Sequence, residues 1–134
     1  MITRIFALAT LVLSVGCAHP PSAAVAAYNL HAQCGRDARD WLREFHRSTE
    51  GNFSHLDYSS HYSQKLNSCF IKIDGVGAVA SEISHAVYDV NDNQFLGAIF
   101  ETQAGELTCF PVNPSGGCSQ SNFHQQVIQR YMLD

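Results

Sequence analysis

The sequence predicts an α+β domain, in which a small antiparallel β-meander of about four strands is flanked by N- and C-terminal helices and held by two disulfides. Three observations predict this class. Apolar residues recur at helical spacing near both ends of the chain, they alternate with polar residues between Asn67 and Phe110, and four cysteines follow the N-terminal segment. Residues 30–134 suit a single globular domain.

The first predicted helix contains the stretch CGRDARDWLREFH, from Cys34 to His46. Its apolar residues recur every three or four positions, which predicts one buried helix face and one solvated face. The apolar positions are Leu30, Cys34, Ala38, Trp41, Leu42 and Phe45. The following segment, residues 51–66, is polar with scattered aromatic residues and is not assigned to an element.

Three segments then predict the strands. In NSCFIKID, Cys69, Ile71 and Ile73 recur at every second position and so share one face, which is the period of a strand. EISHAVYDVNDNQFLGAIFE, residues 82–101, predicts two strands joined by a turn-rich tip at 91–93. ELTCF, residues 106–110, predicts a fourth short strand.

The final stretch, SQSNFHQQVIQRYMLD, predicts a C-terminal helix. Ser119 or Ser121 is the expected N-cap, because a serine hydroxyl accepts a hydrogen bond from a free N–H in the first helical turn. The apolar stripe that would face the sheet consists of Phe123, Val127, Ile128 and Tyr131.

The cysteines indicate an oxidising compartment. Without Cys17, an even number remains, and four cysteines in a small exported domain predict two disulfides with three possible connectivities. We favour Cys34–Cys69 with Cys109–Cys118; a Cys34–Cys118 bond would instead place the two helices side by side. A zinc site is disfavoured, because zinc sites commonly use close pairs such as C-x-x-C.

The N-terminus predicts export. One basic residue, Arg4, precedes an apolar run from Ile5 to Val15, which is shorter than the roughly 20 residues that a membrane-spanning helix needs. Cleavage could occur before Cys17 or after the small residues that end at Ala26.

Residues 1–17 resemble the signal peptides of bacterial lipoproteins. This resemblance implies a signal peptide over residues 1–16, fatty acylation of Cys17 and a tether over residues 17–29. Because Ala18 rather than Asp follows the cysteine, it also implies an outer-membrane anchor that faces the periplasm. Cleavage after Ala26 would instead give a secreted protein. The mature segments HYSQKLNSCFIKI and YDVNDNQFLGAIFE are similar to small exported bacterial proteins without assigned activity, so no catalytic residue is carried over.

The charge distribution restricts the partners. The chain carries a formal net charge of −4, and no lysine or arginine lies between Lys72 and Arg130. That interval contains Asp74, Glu82, Asp89, Asp92, Glu101 and Glu106. Nucleic acid is disfavoured as a partner, because phosphate contacts require clustered basic residues. An acidic surface instead favours association with a basic protein.

Catalytic and metal motifs are weak. The segment HLDYSSH places His55, Asp57 and His61 near each other in sequence, but solvated or hydrogen-bonded histidines explain it without a metal. Residues 89–100 resemble a calcium loop, although Gln94 occupies the glycine position and Phe100 the final glutamate position. No nucleophile elbow or phosphate-binding loop is present. We therefore expect neither a cofactor nor an enzyme.

The sequence thus predicts a membrane-tethered binding module, which would act as an inhibitor, immunity or accessory protein for an envelope partner. The predicted binding residues are Tyr88, Asp89, Asp92 and Phe95, together with the loop FPVNPSGG. The alternatives are a structural envelope lipoprotein without a discrete ligand, and a small hydrolase or metal-binding protein that uses the histidines.

Overall fold

The computed structural model describes residues 22–78, 82–110 and 117–133. A long helix, α1 (Ala23–Ser48), precedes five strands. These are β1 (Phe53–Ser63), β2 (Ser68–Gly77), β3 (Ile83–Asp89), β4 (Gln94–Glu101) and β5 (Leu107–Phe110). The C-terminal helix consists of α2 (Gln120–Phe123), a π-helical segment (His124–Ile128) and α3 (Gln129–Met132). The predicted α+β class and the flanking helices are confirmed.

The sheet is an antiparallel meander in the order β1-β2-β3-β4-β5, so it has five strands where we predicted about four. The additional strand is β1, which lies in the unassigned segment. Its inward side chains Leu56, Tyr58 and Tyr62 pack against the α1 cluster, while much of the strand is polar and exposed. As an edge strand with one solvated face, β1 has a weak apolar signal.

Helix α1 begins earlier than its apolar stripe. The Ser22 hydroxyl accepts a hydrogen bond from the Val25 N–H at 3.4 Å, and the helix starts at Ala23. Residues 23–29, which the sequence assigns to a tether, are therefore helical, in keeping with their alanine content. Tyr28 is 72% exposed, so the first turns contribute little to the core. Among the described residues, no helix is long and apolar enough to cross a membrane.

Helix α1 packs on one face of the sheet, mainly over β1 and β2. Its buried residues Cys34 and Ala38 meet Cys69, Ile71 and Ile73 of β2. The Cys34–Cys69 disulfide, with a Cα–Cα distance of 5.3 Å, fastens the helix to the strand and confirms the predicted pairing.

The C-terminal helix packs on the opposite face. Phe70 alternates with Ile71 along β2, and its ring lies 5.2 Å from that of Tyr131. Further along this face, Phe123 and Val127 of the helix pack on Val87 and Ile99.

The C-terminal helix lies close to the sheet at Gly97, and a second disulfide links the two. A Cβ on Gly97 would lie 3.0 Å from both the Val127 Cγ2 atom and the Phe110 carbonyl oxygen. The Cys109–Cys118 disulfide joins β5 to the start of this helix, which confirms the second predicted pairing.

Candidate functional site

The turn between β3 and β4 is built around the carboxylate of Asp89. Its Oδ1 atom accepts hydrogen bonds from the N–H groups of Asn91, at 2.9 Å, and Asp92, at 3.2 Å. Its Oδ2 atom accepts one from the Ser68 hydroxyl at 2.7 Å. Asp89 is 8% exposed. We predicted that Asp89 and Asp92 would both carry exposed charges on a projecting tip. In the structure Asp89 is buried and stabilises the turn, and only Asp92 is exposed.

The same turn is fastened to α1. The Trp41 indole N–H donates to the Asn93 Oδ1 atom at 2.7 Å, and Asn93 adopts a positive φ of 51°. Asn91 in turn accepts a hydrogen bond from the Cys69 N–H at 2.8 Å. These bonds use the oxygens of Asp89, Asn91 and Asn93 within the fold, so they account for the calcium-like spacing without an ion.

Tyr88 lies at the centre of an aromatic cluster. Its ring lies 4.8 Å from Trp41, 5.8 Å from Phe45 and 5.3 Å from Phe95. Burial raises the pKa of the Tyr88 phenol above its ordinary value of 10.0. Phe95 is at the edge of this cluster and is 43% exposed. Of the two predicted aromatic contacts, Tyr88 is thus half-buried and Phe95 remains accessible.

Phe95 belongs to a larger apolar surface, which we call the aromatic face and define as Phe95, Phe100 and Phe110. The strand register places all three on the side of the sheet that carries Tyr88. The rings of Phe100 and Phe110 lie 6.0 Å apart, and Phe110 is 48% exposed. Helix α1 packs mainly on β1 and β2, and the C-terminal helix lies on the opposite face, so the described helices leave this face of β4 and β5 largely open.

A cavity of about 440 Å³ lies on the opposite side of the β3–β4 turn, and we call it the tip groove. It is formed by the β1–β2 turn, the β3–β4 turn and the end of the C-terminal helix. Its lining residues are Leu66, Asn67, Ser68, Phe70, Asp89, Asn91, Asp92, Gln94, Leu96 and Tyr131. The sequence did not predict this groove, because its walls come from three separate segments.

The histidines that were considered as metal ligands lie along one strand. His55, Asp57 and His61 occupy alternate positions of β1, so His55 and His61 are about 20 Å apart. They cannot bind one ion together. In the described residues, no group of three or more His, Cys, Asp or Glu side chains is placed to hold a metal.

A different histidine is paired with a carboxylate. The Nδ1 atom of His85 lies 2.6 Å from Asp74 Oδ1, and the Lys72 ammonium lies 2.9 Å from Asp74 Oδ2. All three side chains are about one-third exposed. Asp74 therefore forms an ion pair with Lys72 and a hydrogen bond with His85 on the surface of the sheet. This cluster was not predicted from the sequence; the local signal that could have indicated it is the alternation of Lys72 and Asp74 along β2.

Two predicted features lie outside the described residues: Cys17, the expected lipid attachment site, and residues 111–116 of the FPVNPSGG loop. Comparison with protein-family models, curated proteins and solved structures finds no match for this chain. The chemistry of its own residues therefore carries the functional argument.

Proposed function

We propose that this chain is an exported binding protein, attached to a membrane through a lipid on Cys17, that associates with a basic protein of the cell envelope through its aromatic face. The observation that carries the proposal is the exposure of Phe95 and Phe110 on a half of the sheet that α1 leaves open.

Exposed phenylalanines on a rigid sheet suit protein recognition. Aromatic residues are enriched in the buried centres of interfaces, where they supply large apolar area. Phe95 and Phe110 project from paired strands rather than from loops. The Cys109–Cys118 disulfide restrains the neighbouring β5. Little conformational entropy would therefore be lost when a partner covers them.

The charges around the aromatic face favour a basic partner. Asp92 precedes β4 at one end of this surface and Glu106 precedes β5 at the other, and both are exposed. Neither is paired with a basic side chain among the described residues. Lysine and arginine residues around an apolar patch of a partner would complement them, which accelerates association more than it raises affinity.

Lipid attachment would keep this surface near a membrane. Support comes from the lipoprotein-like signal that ends at Cys17 and from the two disulfides, which suit an oxidising compartment. Metabolic labelling with a radioactive fatty acid tests the anchor. The natural chain should incorporate label and Cys17→Ser should not; a mature chain that starts at Ala27 without label would refute this part of the proposal.

The binding surface is tested by comparing variants in affinity capture from an envelope extract. The natural chain should retain a basic protein that Phe95→Ser and Phe110→Ser each bind about tenfold more weakly, because each loses an aromatic contact worth more than about 1 kcal/mol. Leu133→Ser is the matched control, since Leu133 is 61% exposed and lies outside the aromatic face.

Circular dichroism of each variant verifies the fold. The proposal fails if a partner binds the Phe95 and Phe110 variants as well as it binds the natural chain, or if the Leu133 variant loses the partner equally.

A further inference from the structure

We propose that the tip groove accepts an arginine side chain. That this arginine belongs to the basic partner rests on the proposed function, whereas the chemistry of the groove stands on the residues that line it.

The charge of the groove has a single sign. Its lining includes the carboxylates of Asp89 and Asp92, and none of the described residues that line it is basic. Asp89 is held by the turn, but Asp92 is exposed, and its carboxylate has no partner within residues 22–78, 82–110 and 117–133. A cation is therefore the complementary ligand group.

The apolar lining favours a long side chain over a small ion. Leu66, Leu96 and Tyr131 line the groove, and Leu66 is 42% exposed; Phe70 also borders it but is buried, with its ring 5.2 Å from that of Tyr131. Such a surface can pack against the methylene groups of a long basic side chain while its charged end reaches the carboxylate. A hydrated inorganic cation would gain nothing from these contacts.

The polar groups favour a guanidinium over an ammonium. Asp92, Asn67 and Gln94 line the groove with side chains that carry acceptor oxygens, and a guanidinium offers five N–H donors in one plane. An ammonium offers fewer donors and is more strongly hydrated.

Two amide side chains of the lining are already held in place by the fold. The Tyr62 hydroxyl donates to Asn67 Oδ1 at 2.6 Å, and the Cys69 N–H donates to Asn91 Oδ1 at 2.8 Å. The lining is therefore preorganised, which lowers the entropic cost of binding.

The groove and the aromatic face share one hairpin. The register of β3 and β4 shifts between Val87 and Tyr88, so that Phe95 is paired with Tyr88 while its neighbour Leu96 lines the groove. A partner that covers Phe95 would reach the groove around Asp92. An arginine beside the apolar contact of the partner could then enter it.

Titration of the ¹⁵N-labelled full chain in detergent micelles with Nα-acetyl-arginine amide, followed by NMR, tests the inference. Resonances of Asn67, Asn91 and Leu96 should shift together and saturate. The citrulline analogue, which has nearly the same shape but no charge, should bind at least about tenfold more weakly, because hydrogen bonds to a charged group are the stronger ones. Asp92→Asn should weaken arginine binding to a similar degree, and Glu50→Gln, which removes an exposed carboxylate outside the groove and the aromatic face, should not.

Absence of saturable shifts at these residues, or equal binding of the citrulline analogue, overturns the inference. An unchanged affinity in Asp92→Asn does so too, and tighter binding of Nα-acetyl-lysine amide would overturn the choice of arginine. These results can be told apart from a failure of the proposed function, which the Phe95 and Phe110 variants test. If the Phe95 and Phe110 variants lose a partner while the arginine analogue does not bind, the aromatic face remains the binding surface and the groove does not.

Discussion

Removal of the Cys34–Cys69 disulfide should destabilise the fold more than removal of Cys109–Cys118. The two bonds join residues 35 and 9 positions apart in sequence. With these separations as loop lengths, the chain-entropy relation gives about 3.8 kcal/mol for the first bond and about 2.6 kcal/mol for the second at 25 °C. The expected difference is therefore about 1.2 kcal/mol.

Burial increases this difference. Cys34 and Cys69 are each 3% exposed and belong to the cluster that joins α1 to β2, whereas Cys109 is only half-buried. Alanine at both buried positions would leave a small void, whose cost adds to the lost loop constraint. Since domains of this kind are stable by about 5–15 kcal/mol, the Cys34→Ala/Cys69→Ala variant loses a large share of the total.

Urea unfolding of the oxidised chain, followed by the fluorescence of Trp41 and by circular dichroism, measures both losses. Trp41 is the single tryptophan and lies in the α1 interface, so it reports on the contact that the first bond secures. The Cys109→Ala/Cys118→Ala variant is the matched control. Equal losses, or a larger loss in the control, would refute the loop-length argument, provided that the slope of free energy against urea is the same in all three proteins.

Three further outcomes are expected from the same chain. Asp89→Ala should cost about 2 kcal/mol in urea unfolding, because it removes the acceptor of two turn N–H groups and one hydroxyl, and Asp89→Asn should cost less because it keeps one oxygen; equal costs would contradict this role of the carboxylate. Gly97→Ala should cost about 1–3 kcal/mol, because its Cβ would crowd Val127 and the Phe110 carbonyl; an unchanged urea midpoint would show that the helix moves away freely. The raised pKa of Tyr88 means that the folded chain holds the phenolic proton more tightly than the unfolded chain, so this contribution is complete below pH 10.0 and is lost as pH rises above it. Stability measured at pH 8 and pH 11 should therefore fall less in Tyr88→Phe than in the natural chain, and an identical fall would remove Tyr88 as a cause.

Local periodicity was sufficient for most of the fold. The stripe of α1, the alternation of Cys69, Ile71 and Ile73, and the turn residues between β3 and β4 each act within a few residues, so the sequence alone identified those elements. The cysteine count similarly predicted two disulfides but left three connectivities open, and the structure shows the pairing that we favoured. Strand β1 was missed because one of its faces is largely solvated, and its inward residues Leu56, Tyr58 and Tyr62 are separated by polar ones.

The binding residues depended on contacts that no local pattern contains. The sequence places Asp89 and Asp92 in one turn as two similar acidic residues. Only the tertiary structure shows that Asp89 is buried and bonded to Ser68 of β2, while Asp92 is exposed. The exposure of Phe95 and Phe110 was likewise decided by the position of α1 over the other half of the sheet. A sequence determines which side chains are apolar or charged, and the packing of distant elements determines which of them water, or a partner, can reach.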